Sequence, residues 1–158
     1  MQVKSLKKNF LEFCEVNKLE KNLQQLKIIE LLTDFLKPKK KYSNFLFGKK
    51  DKLGFYLFGD VGVGKTMIFN LTYNFLDIPK QRYHFNEFMI NFHDYRHTNK
   101  SNSILSFVKN LKKKNKLIYL DEFQVTNIVD AMILGKLFET IFNENIKVLI
   151  TSNTKIDD

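Results

Sequence analysis

Residues 54–66 read GFYLFGDVGVGKT, a short apolar strand at 54–58 running straight into Gly59-Asp60-Val61-Gly62-Val63-Gly64-Lys65-Thr66. Every fixed position of the pattern G-x-x-x-x-G-K-[ST] is filled, and an amphipathic run at helical spacing follows. The glycines let successive backbone N–H groups curl around an anion with no Cβ in the way. A helix starting near Gly64 aims the positive end of its dipole at the same anion. In such a turn Lys65 reaches the β- and γ-phosphates of a nucleotide and the Thr66 hydroxyl ligates Mg²⁺. A chance match in an ordinary glycine-rich loop lacks the strand before and the helix after. The segment therefore reads as a phosphate-binding loop, formed by all eight residues from Gly59 to Thr66.

Composition bounds the rest. With 158 residues the chain has the length of one domain able to bury a core, and 44% apolar residues with 16 Phe mark it as globular. No apolar run approaches the length of a membrane span, and the first ten residues, MQVKSLKKNF, lack the apolar stretch of a secretory signal. The single Cys14 rules out an internal disulfide and fits a reducing, cytoplasmic setting, where it reads as buried filler. The net charge of +9 attracts polyanions at low salt. Of the basic residues, however, only Arg82 and Arg96 are arginines, and diffuse lysine suits a solvated surface better than base reading. Specific nucleic-acid binding is accordingly disfavoured.

Along the chain, residues 5–16 and 19–36 read as two helices, the second with Leu19, Leu23, Leu26, Ile29 and Leu32 on one stripe ended by Pro38. A lysine-rich stretch, 37–52, then separates this arm from the remainder. Strands at 54–58, 82–86, 117–121 and 147–151 alternate with helices at about 65–76, 87–97, 104–113 and 128–143. That alternation predicts an α/β fold, a parallel sheet with helices on both faces. The expected organisation is a helical arm and linker over 1–52 and a P-loop core over 53–158.

Two strand ends carry further chemistry. Leu117-Ile118-Tyr119-Leu120-Asp121-Glu122 is an apolar strand ending in two carboxylates, 55 residues after Thr66. In a P-loop ATPase a neighbouring strand delivers an Asp toward Mg²⁺, a role that suits Asp121, while Glu122 can polarise the attacking water as general base. Val148-Leu149-Ile150-Thr151-Ser152-Asn153 ends in polar residues at the same edge of a parallel sheet, where Asn153 can hold water or the γ-phosphate. Asn127 reads as the N-cap of helix 128–143, with Asp130 satisfying first-turn amides. His93 and His97 share a helix face but lack partners at metal spacing and read as surface or interface residues, and Gln124 reads equally as a polar contact to nucleotide or substrate and as a loop contact.

Taken together and in order, GFYLFGDVGVGKT, RYHFNEFM, LDEFQVTNIVDAMILGKLFETIF and VLITSN resemble the ZapE/Afg-type AAA+ ATPases, bacterial proteins linked to cell division with mitochondrial relatives linked to protein quality control. The resemblance covers nearly the whole chain and implies ATP and Mg²⁺ as ligands. It also implies Lys65 and Thr66 as Walker A, Asp121 and Glu122 as Walker B, Asn153 as sensor 1, and a homo-oligomer or a protein client as partner. Val63 stands where the family often has a basic residue. Members are typically about twice as long, with a fifth strand, an arginine finger and a helical lid beyond sensor 1. Neither Arg82 nor Arg96 sits where the family supplies its finger. The chain is therefore expected to be a truncated or split product of an ATPase gene, with Phe55–Phe58 as an unpaired apolar edge in the strand order 5-1-4-3-2. An active Mg²⁺-ATPase is the leading expectation. The alternatives are an impaired nucleotide-binding fragment acting through protein contacts and, less well supported, a DNA-associated loader-type ATPase.

Overall fold

The computed structural model describes residues 6–37, 52–99 and 102–155, so most of the lysine-rich linker expected over 37–52 lies outside the described residues. The chain divides into two compact units, one of residues 1–52 with 66–77 and the other of 53–65 with 78–158.

In the first unit, α1 (Leu6–Val16) buries Leu6, Phe10 and Cys14 at four-residue spacing, and α2 (Leu23–Leu36) buries Ile29, Leu32 and Leu36. Helix α3 (Lys65–Phe75) begins at the lysine that ends the glycine-rich loop, and its Ile68, Phe69 and Thr72 are buried. The second helix starts four residues later than its apolar stripe predicts. Lys18 adopts a left-handed conformation (φ 53°) and ends α1, with Leu19 N–H returning to the Cys14 carbonyl. Asn22 then caps α2, its side chain accepting from Gln24 N–H at 2.8 Å. Leu19 and Leu23 consequently lie in solvent, and only the later part of the stripe is core.

The second unit is built on a four-stranded, all-parallel sheet. Its strands are β1 (Gly54–Phe58), β2 (Lys80–His84), β3 (Leu117–Asp121) and β4 (Lys147–Ser152), in spatial order β1-β4-β3-β2. This is the 1-4-3-2 part of the order expected from the family resemblance. All five residues of β3 are buried, so both of its faces are covered, as its unbroken apolar run requires. Period-two alternation divides the work. Ile118 and Leu120 of β3 align with Val148 and Ile150 of β4 and pack with α4 (Phe85–Thr98), α5 (Ser103–Lys114) and α6 (Ile128–Asn143) in one core. Tyr119 and Asp121 point to the opposite face.

The structure shifts the expected strand 82–86 to 80–84 and starts α4 at Phe85. Phe85, Phe88, Met89 and Phe92 are buried at helical spacing, and that repeat outweighs the local strand preference of Tyr83-His84-Phe85. Asn127 caps α6 through Val129 N–H at 2.8 Å as expected. His93 is a difference, because its Nε2 lies 2.7 Å from Asp130 Oδ1 and ties α4 to α6.

Phe88 is fully buried and meets Tyr83 and Phe107 edge-on. Phe88→Ala is expected to lower stability by about 3–5 kcal/mol. Ile90→Ala, on the solvent face of the same helix, is expected to change it by no more than about 0.5 kcal/mol. Chemical denaturation of the two variants side by side checks this, and equal losses would contradict the core assignment.

Candidate functional site

The C-terminal ends of parallel strands share one edge of a sheet, and here those ends carry the chemically distinctive residues. Strand β1 exits into Gly59–Lys65, β3 ends at Asp121 followed by Glu122, and β4 ends at Thr151-Ser152 followed by Asn153. The register aligns Phe58 with Ser152 and His84 with Asp121, so the sequence-predicted loop and both polar strand ends converge.

Gly62 and Gly64 adopt φ of 86° and 89°, values open to glycine and strained for other residues, and a Cβ at Gly62 would meet nothing within 4 Å. Val61 and Val63 project into solvent. Lys65 is buried, and its Nζ donates to the carbonyls of Gly59 and Asp60 at 2.7 Å each. The ammonium thus folds over its own loop. This arrangement fits a bound polyphosphate, which supplies the acceptors that the two carbonyls now provide. Thr66, the second residue of α3, is exposed.

Asp121 is the most elaborately held group of the second unit. Its carboxylate is almost wholly buried, with Oδ2 accepting from Arg82 and Oδ1 from the Thr151 hydroxyl. Glu122 N–H also reaches Oδ1, at 3.2 Å. The Arg82 guanidinium lies over the Tyr119 ring, 5.1 Å from its centroid, so cation–π attraction and the ion pair fix it together. Burial opposes the charged form of Asp121. Hydrogen bonds from Thr151, Arg82 and Tyr119, with the Arg82 charge, outweigh it and hold the carboxyl below its ordinary value. Burial likewise pushes the Tyr119 phenol well above its usual range, leaving it neutral.

Glu122 leaves the strand in a left-handed conformation (φ 55°) and its side chain is three-quarters exposed. A non-glycine residue held at positive φ beside a buried carboxylate is the kind of local strain that collects at working sites. His84 Nδ1 stands 3.8 Å from its Oε2. The far side of the site is clasped by Ser152 Oγ donating to the Phe123 carbonyl and by the Tyr56 hydroxyl donating to the Thr154 carbonyl, both at 2.6 Å. Asn153 lies exposed between these anchored residues.

Sequence reasoning found the loop and the carboxylates but missed Arg82, His84 and Thr151 as their partners. The available signal was Arg82 and His84, two residues apart and so on one face of β2, in a chain otherwise nearly devoid of arginine.

The profile of the AFG1-like ATPase family matches residues 9–158. The chain belongs to the AFG1-like ATPase family. It is 39% identical over 114 residues to lactation elevated protein 1 homolog B of Danio rerio, an alignment covering 63% of the chain and 23% of that protein. It is 33% identical over 122 residues to the cell division protein ZapE of Escherichia coli K12, covering 72% of the chain and 32% of ZapE. The matched part therefore spans about a quarter to a third of these relatives. Among solved structures, the DnaC helicase loader superposes with a TM-score of 0.56 at 17% identity, over 86% of this chain and 73% of that one. DnaI gives 0.53 at 21% identity, over 89% and 72%. These likenesses show the fold alone, a parallel α/β sheet flanked by helices. No described helix of this AFG1-like chain is long and apolar enough to cross a membrane.

Because the folded Asp121 carboxyl sits below its ordinary value of 3.8, it contributes stability that is fully present above that value. This contribution is lost as pH falls below 3.8 through the lower folded value. Acid titration of unfolding free energy is expected to fall less steeply in that window for Asp121→Asn than for the wild type. Parallel curves would remove Asp121 from the acid response.

Proposed function

We propose that this chain binds Mg²⁺-ATP at the edge where the P-loop and the β3 and β4 ends converge, and that the site is built to hydrolyse ATP to ADP and phosphate. The observation that carries the reading is the Lys65 ammonium folded over the glycine loop, at the sheet edge that also holds a buried, oriented Asp121 and an exposed Glu122.

The residues divide the work by chemistry. The loop amides of Gly59–Gly64 and the Lys65 ammonium bind the phosphates and draw negative charge to the transferring oxygens. Thr66 and Asp121 would hold Mg²⁺, which would supply neutralisation of phosphate charge when bound. Glu122, solvent-facing and next in sequence to the fixed Asp121, takes the proton of the attacking water. Asn153 orients that water from the end of β4. Residues 1–52 would serve as an arm and 53–158 as the ATPase core, with a homo-oligomer or a protein client as partner. A role in cell division is carried only by the likeness to ZapE.

Lys65→Ala is expected to abolish binding of a fluorescent ATP analogue, and unchanged affinity would sink the phosphate assignment. Glu122→Gln is expected to keep that binding while steady phosphate release falls on the order of 10²–10⁴-fold. Wild-type turnover in that variant would take Glu122 out of its role. Binding without release by the unmodified chain at every concentration would leave a nucleotide-binding module in place of an enzyme.

A further inference from the structure

We propose that Arg82 is a positioning residue that keeps the Asp121 carboxylate closed to free divalent cations, so that this edge takes up metal only together with a polyphosphate. The inference rests on the nucleotide reading above and adds a rule for how the metal arrives.

An ionised carboxylate offers about four lone-pair sites. At Asp121 protein donors meet all four: Arg82 on Oδ2, the Thr151 hydroxyl and Glu122 N–H on Oδ1, and the Tyr119 hydroxyl as well. With its side chain only 3% exposed, the group has no freedom to turn and present both oxygens to an ion. A lone dication therefore meets a carboxylate whose acceptor sites are already taken by protein donors.

Charge points the same way. Arg82 is permanently cationic and touches the carboxylate, so a lone dication approaching Asp121 meets a pair that sums to zero. Glu122, the other nearby carboxylate, is largely in solvent and screened. A triphosphate brings the negative charge that this pair lacks. Lysine could supply the same charge, yet the position holds one of two arginines among 26 basic residues. A planar guanidinium can lie over Tyr119 while one nitrogen reaches Oδ2, and this fixes both its orientation and the carboxylate's.

The test is Mn²⁺ titration of the full chain without nucleotide, followed by the electron paramagnetic resonance of free Mn²⁺ and repeated with ADP present. The wild type is expected to bind Mn²⁺ weakly alone and tightly with ADP. Arg82→Gln should tighten nucleotide-free Mn²⁺ binding on the order of tenfold or more, because the opposing charge is gone. Arg82→Lys, which keeps the charge without the planar fork, should tighten nucleotide-free Mn²⁺ binding far less than Arg82→Gln, and Arg82→Gln with Asp121→Asn should lose the gain. An Arg82→Gln protein that melts near the wild type and binds free Mn²⁺ no more tightly overturns the proposal. Wild-type affinity for Mn²⁺ that is the same with and without ADP also overturns it, whether or not the variants fold. Failure of the wild type to bind ADP at all instead strikes the nucleotide reading, and the Arg82→Gln comparison without nucleotide still reads the arginine by itself.

Discussion

A charged group at the covered centre of a parallel sheet sets the terms for its surroundings. Asp121 ends a strand whose five residues are all buried, and a carboxylate there is tolerated only with its hydrogen-bonding capacity met from the protein. Arg82 on one neighbouring strand and Thr151 on the other meet it, so the buried carboxylate is satisfied by these donors when β2, β3 and β4 are in register. A one-residue slip of β2 would send Arg82 to the opposite face, which is otherwise filled with phenylalanine. The network therefore serves as a register lock as well as a feature of the site.

Much of the architecture was legible because the two periodicities are clean here. The P-loop signature fixed a strand–turn–helix, and apolar runs of five residues between helical repeats left little choice but parallel strands. Strand β3 and helix α6 have the bounds that pattern and capping predict, and the AAA+ strand order follows from the family resemblance. The errors fell where two periods overlap. Tyr83-His84-Phe85 satisfies an alternating strand, yet Phe85 is the first of four aromatic or Met residues at helical spacing, and tertiary burial decided for the helix. The start of α2 turned on Lys18 and Asn22, single residues whose backbone and capping choices leave little trace in a hydrophobic stripe.

At the site, sequence exposed what is local and hid what is assembled. Gly59–Thr66 is contiguous, and Asp121-Glu122 is adjacent, so a one-dimensional pattern holds them. The partners of Asp121 come from positions 39 residues before and 30 after, and only strand order and register bring them together. His93 illustrates the same limit on the opposite side of the unit. Its partner Asp130, 37 residues away, is an ordinary first-turn acid until α4 and α6 pack.

The Lys65 ammonium has two backbone acceptors in its own loop, so this buried cation is satisfied without any other partner. On the reading proposed above, an anion would exchange those bonds for its own, so each new contact would be offset by one that is lost, and the net gain would be a difference between two satisfied states. Such a ligand would be retained only if its charge outcompetes two peptide oxygens.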